Sequence, residues 1–114
     1  MANEIKAPKL LPGGITQAQF DGWKSSGLVV NQIEVIVTEE DTATCYITKP
    51  RRDHVAVAMS LYAKDKILEC GEFILNNAWL GGDVRCKTDE DIAMAAALQA
   101  SGTIKFLEAT IKKH

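Results

Sequence analysis

The side chains in this chain with the most chemical potential are one internal histidine with acidic neighbours, three cysteines and two acidic clusters. His54 stands beside Asp53, with Glu72 further along, and imidazole is the side chain best placed to move a proton near neutral pH. Nothing in the sequence positions a partner for it, so His54 reads as a structural or surface residue. Cys45, Cys70 and Cys86 are odd in number and far apart, without the CxxC spacing or neighbouring histidines of zinc and thiol-redox sites, and read as buried reduced thiols. Glu39-Glu40-Asp41 and Asp89-Glu90-Asp91 lack the alternating ligands and central glycine of a calcium loop, so they fit a turn and a helix start. Gly81-Gly82-Asp83 follows a helical pattern and matches neither phosphate-binding fingerprint. These patterns predict a non-enzymatic protein with no cofactor and no metal.

Charge narrows the partners. Charged residues make up 25% of the chain and nearly cancel, at a formal net charge of -2, which gives no general attraction to nucleic acid or to anionic membrane. The one basic stretch, Lys49-Pro50-Arg51-Arg52, is interrupted at Asp53 and has no aromatic residues interleaved, so it reads as a solvated helix start. No apolar run approaches the ~20 residues that span a bilayer, and no basic-then-apolar leader opens the chain, so a cytoplasmic protein is expected.

The elements that would carry these residues form an α+β domain. Residues 1–14 hold Pro8, Pro12, Gly13 and Gly14 and read as a flexible arm, with residues 15–114 as a single domain. Thr16-Gln17-Ala18-Gln19 matches a capping box, and the short helix after it places Phe20 and Trp23 on one side before Ser25-Ser26-Gly27 stops it. Leu28 to Thr38 alternates as a strand with Ile33, Val35 and Val37 on one face. Glu39-Glu40-Asp41 turns the chain, and Thr42 to Thr48 completes an antiparallel hairpin with Cys45 and Ile47 on one side. Pro50 ends the second strand and suits the first turn of the next helix.

Beyond Arg51 the period becomes helical. Val55, Met59, Leu61, Tyr62, Ile67, Cys70, Phe73, Ile74 and Trp79 predict two helices, parted near Lys64-Asp65-Lys66, with Asp65 capping the second and Gly81-Gly82 ending it. A last helix starts with Thr88 as cap and acidic residues at its positive end, and runs toward Lys112-Lys113-His114. Ala93, Ala97, Ala100, Ile104, Leu107 and Ile111 make a narrow stripe along it, whose alanine half admits either the Trp79 helix or a second subunit. The expected architecture is therefore an N-terminal short helix and antiparallel β-hairpin followed by a three-helix C-terminal part.

From Ile15 to Lys113 the order of parts resembles the small tail assembly chaperones of long-tailed bacteriophages and prophages. The residues that carry the resemblance are the polar helix with Trp23, the strand around Ile33-Glu34-Val35, and the second strand leading into Thr48-Lys49-Pro50-Arg51. They continue with the joint Asn76-Asn77-Ala78-Trp79-Leu80-Gly81-Gly82-Asp83 and the helix start Thr88-Asp89-Glu90-Asp91. The resemblance implies a compact, non-catalytic protein of the bacterial host cytoplasm that assists tail assembly by binding the tape-measure protein. Trp79, Leu80, Ala93, Ala97 and Ala100 are the candidate contact residues, because small residues beside an aromatic can form a groove for an apolar helix. The alternative expectation is a self-associating structural or adaptor module that forms homo-oligomers.

Overall fold

The computed structural model describes residues 10–103 and 112–114. Its fold is α+β, with a three-stranded antiparallel sheet in the order β1-β2-β3 and helices on both faces. The first helix, α1 (Gln17–Ser25), begins at the expected capping box: the Gln19 amide donates to Thr16 Oγ1 at 3.1 Å and the Thr16 amide donates to Gln19 Oε1 at 2.8 Å. These two bonds satisfy donors that a helix start otherwise leaves open. Gly27, at φ 80°, turns the chain toward the sheet.

Strands β1 (Val30–Thr38) and β2 (Asp41–Thr48) form the expected hairpin around Glu39 and Glu40, with a register shift between Ile36 and Thr38. Ala43, Cys45 and Ile47 point into the main core, while Tyr46 points to the opposite face and is buried under α1. Phe20 and Trp23 approach Tyr46 with ring centroids 6.2 and 5.7 Å away. β2 is therefore covered on both faces, which explains its nearly continuous burial.

Two helices follow, α2 (Arg52–Ala63) and α3 (Ile67–Ala78). Pro50 lies just ahead of the cap residue Arg51 rather than inside the first turn of α2. Asp65 does not cap α3: it takes a positive φ of 60° between the helices, and Lys66 occupies the cap position without a side-chain bond. The separation of α2 from α3 is thus made by a backbone reversal, a conformation that aspartate tolerates better than most residues.

The larger departure comes at Trp79. The chain leaves α3 at Ala78 and becomes a third strand, β3 (Trp79–Gly82), paired antiparallel with β2 through Ile47↔Trp79, Tyr46↔Gly81 and Cys45↔Gly82. The paired glycines do not end the helix; they let β3 approach its neighbours. A Cβ on Gly82, which has φ 122°, would stand 2.6 Å from both Cys45 Cα and Thr44 O, and one on Gly81 would press on the Trp23 ring at 3.2 Å. A strand was harder to foresee than a helix end here because its partner is distant in sequence.

After β3 come a short turn of helix, α4 (Arg85–Thr88), and α5 (Glu90–Ser101). Asp89, not Thr88, caps α5, with Oδ1 accepting from the Ile92 amide at 3.0 Å; the Thr88 hydroxyl instead donates back to Val84 O. The helix closes at Gly102, so the described helix is shorter than the one expected to run to the basic end. Ile104, Leu107 and Ile111 of the expected stripe lie outside the described residues, as do residues 1–9 of the expected arm. The remainder of that arm is tied to the sheet: Pro12–Gly14 forms a tight turn whose Pro12 carbonyl accepts from Tyr46 Oη at 2.7 Å.

Candidate protein-binding groove

The core between sheet and helices is built where α3 lies between α2 and α5, with Cys70, Ile74 and Ala78 packed with Ala96 and Ala100 and with Ile33, Cys45 and Ile47 of the sheet. The closest approach is at Gly71, where a Cβ would overlap the Ala97 carbonyl oxygen. Ala97 and Ala100 are fully buried by this intrachain packing, which removes them from the surface as contacts for a partner. Their small size serves the α3–α5 approach, the role that close-packed helices ask of alanine and glycine.

Beside this contact the helices leave a groove of about 250 Å³. Leu68 and Leu75 line it from α3 with Glu72 and Asn76; Ala93 and Met94 line it from α5 with Glu90; Cys86 and Lys87 line it from α4. Its lining mixes apolar side chains with two carboxylates, an amide and one ammonium group. The volume lies below the roughly 300–1,000 Å³ of pockets that enclose drug-sized ligands. A groove of this size and lining suits anchoring side chains from a larger partner. Met94 is 45% exposed and Leu98, one turn further along α5, is 46% exposed, so apolar surface extends beyond the groove.

Trp79 is half-buried against the core, and Lys87 Nζ stands 4.9 Å above its ring centroid. Lys87 thereby links Trp79 to the groove rim through a cation–π contact. Leu80 is half-buried on β3. Of the five expected contact residues, Ala93 lines the groove, Trp79 adjoins it through Lys87, Leu80 sits on the neighbouring strand, and Ala97 and Ala100 are interior.

The α4 end is fixed by charge. Arg85 donates to Asp41 at 2.8 and 2.9 Å and to Asp83 at 2.8 to 3.2 Å, joining the start of β2 to the segment that leads into α4. Its guanidinium holds the Asp41 and Asp83 carboxyls below the ordinary aspartate range, chiefly by these hydrogen bonds. Asp41 belongs to the acidic cluster read from sequence as a turn; its pairing with Arg85 carried no sequence signal, since the two lie in separate elements.

His54 rests edge-on against Phe73 at 5.6 Å between centroids, and Asp53 is paired with Arg51 at 3.1 Å. Among the described residues, no three His, Cys, Asp or Glu side chains gather to hold a metal ion, and no helix is long and apolar enough to cross a membrane. Leu68, Leu75, Lys87 and Met94 are the groove residues that sequence reasoning missed. Leu68 and Leu75, seven apart on one helix, did carry a usable signal. No protein-family model, curated protein or solved structure matches this chain.

Proposed function

We propose that this protein is a non-catalytic binding module that holds an apolar helical segment of another protein in the α3–α5 groove. On the resemblance described above, that partner is a phage or prophage tail tape-measure protein, held in the host cytoplasm before the tail tube polymerises. The observation that carries the reading is the groove itself, with Leu68, Leu75, Ala93 and Met94 along it and Glu72, Glu90 and Lys87 beside them. An amphipathic helix buries apolar anchors spaced three or four residues apart in such a groove, and its flanking polar residues meet the charged rim. The test is co-purification with helical fragments of a tail tape-measure protein, compared with a Met94→Glu variant shown by circular dichroism to be folded.

A second reading, a self-associating structural module, is favoured by one feature of the sheet. β1 is an edge strand in which Ile36 is 78% exposed and the strand segment contains neither lysine nor proline. The unpaired backbone groups of an edge strand are a template for another strand, and here only Glu34 and the register shift near Ile36 stand against such pairing. Light scattering separates the readings: a defined oligomer at micromolar concentration, with no tape-measure binding, supports the module.

A further inference from the structure

We propose that two copies of this chain join through the open edge of β1, in an antiparallel ladder whose two-fold axis passes at Ile33, so that their sheets become one. The proposal deepens the self-association reading, on which it rests, and is independent of the groove. Its basis is the direction in which the β1 backbone points. The Lys49 amide donates to Val29 O at 3.1 Å, and opposed residues of an antiparallel pair bond at every second position. Asn31, Ile33 and Val35 therefore turn their amides and carbonyls toward β2, and Val30, Gln32, Glu34 and Ile36 turn theirs away. β2 shows the same phase on its other side, since Thr44, opposite Glu34, gives its carbonyl to the Asp83 amide at 2.8 Å. The sheet order leaves β1 without a strand on its outer side. The other edge differs: β3 is a short strand, and Gly13 of the N-terminal turn lies against Gly82.

A strand that pairs with its own copy must take one register, and the residues of β1 select it. The regular ladder runs from Val30 to the shift after Ile36, and Ile33 is its midpoint, so a two-fold there uses the whole regular edge. Ile33 then meets its copy at a position without hydrogen bonds. Gln32 faces Glu34 of the second copy and Val30 faces Ile36 of the second copy, each pair exchanging both backbone bonds.

Glu34 is the one charged side chain in the strand, and this register sets it against an amide rather than against itself. Within one chain Gln32 Nε2 already donates to Glu34 Oε1 at 2.8 Å, and its second N–H can reach the carboxylate across the axis. Ile36, the most exposed large apolar side chain among the described residues, gains an apolar neighbour in Val30. A two-fold at Glu34 would oppose like charges directly, and one at Val35 would set Glu34 against Ile36. Self-pairing centred on Ile33 thus avoids both features that stand against association at this edge.

The test is amide exchange by NMR on the full wild-type chain across a dilution series, with sedimentation giving the oligomeric state at the same concentrations. The expected result is a dimer in which the Val30, Gln32, Glu34 and Ile36 amides exchange slowly and lose that protection as it dissociates. Gln32→Lys should tighten the dimer several-fold at low salt, because lysine then stands opposite Glu34 of the second copy, and the gain should fade at high salt. Ile36→Lys should sediment as a folded monomer, since the side chain is mostly solvated in the single chain. A monomer at every concentration overturns this proposal together with the self-association reading. A dimer whose edge amides exchange as fast as those of the monomer overturns this proposal alone and leaves self-association to another surface. A dimer that Gln32→Lys weakens or leaves unchanged overturns the register, and the proposal with it. The wild-type exchange map decides the matter even where a variant fails to fold.

Discussion

Gly71 of α3 meets Ala97 of α5 backbone against backbone, with no room for a Cβ on Gly71. Gly71 falls between Leu68 and Leu75 in sequence, and Ala97 lies one turn beyond Ala93, so the helices touch beside the place where the groove opens. The contact fixes the spacing of the two groove walls. Replacing Gly71 with alanine raises helix propensity by about 1 kcal/mol. Overpacking against a backbone that no rotamer change can relieve costs up to about 3 kcal/mol. Urea denaturation should therefore show Gly71→Ala to be clearly destabilised, and an unchanged or higher midpoint would mean that the helices separate without cost.

Tyr46 ties the N-terminal turn to the central strand through its 2.7 Å bond to the Pro12 carbonyl. Tyr46→Phe keeps the ring under Phe20 and Trp23 and removes only the hydroxyl. The expected loss is about 0.5–1.5 kcal/mol of stability. Amide exchange should quicken at Gly14, whose N–H donates to Leu11 O within that turn, and leave α3 unchanged.

The Arg85 network makes stability depend on pH in a stated direction. Asp41 and Asp83 have depressed folded-state pKa values, first because of their hydrogen bonds to Arg85. Their contribution is complete above the unfolded aspartate value of about 3.9 and disappears as pH falls through the lower folded values. Arg85→Ala should therefore melt below the wild type at neutral pH, and the gap should narrow in acid. Equal gaps at both pH values would show that the loss is one of packing rather than charge.

Asp65 adopts a positive φ at the α2–α3 break, where a side chain adds strain and glycine does not. Asp65→Gly should be neutral or stabilising by up to about 1 kcal/mol, because relief of left-handed strain offsets the added freedom of the unfolded chain. Thermal melting checks the sign.

Local signals in the sequence predicted the local structure well. The Thr16 capping box, the alternation through Ile33 and the hairpin turn at Glu39 each depend on residues close together in the chain, and each stands where expected. Trp79 misled because its spacing continues the apolar face of α3, while the force that extends the backbone comes from pairing with Ile47 of β2. Asp89 displaced Thr88 as a cap because Thr88 was already committed to α4. Small residues at Ala97 and Ala100 correctly signalled a close helix contact; that the contact lies within the chain depended on Gly71, whose face only the tertiary fold reveals. The groove and the Arg85 clamp join residues from separate elements, so their chemistry is visible only after folding.

The central claim concerns the groove, and Met94 is the residue that tests it with least disturbance to the core, being 45% exposed. The deciding measurement is isothermal titration of the purified protein with helical fragments of a tail tape-measure protein, the partner proposed above, repeated with Met94→Glu. Saturable binding by the wild type that is lost in a variant of unchanged melting temperature is the predicted result. Binding that is equal in both proteins, or absent from the folded wild type across all fragments, would contradict the groove as the site of recognition.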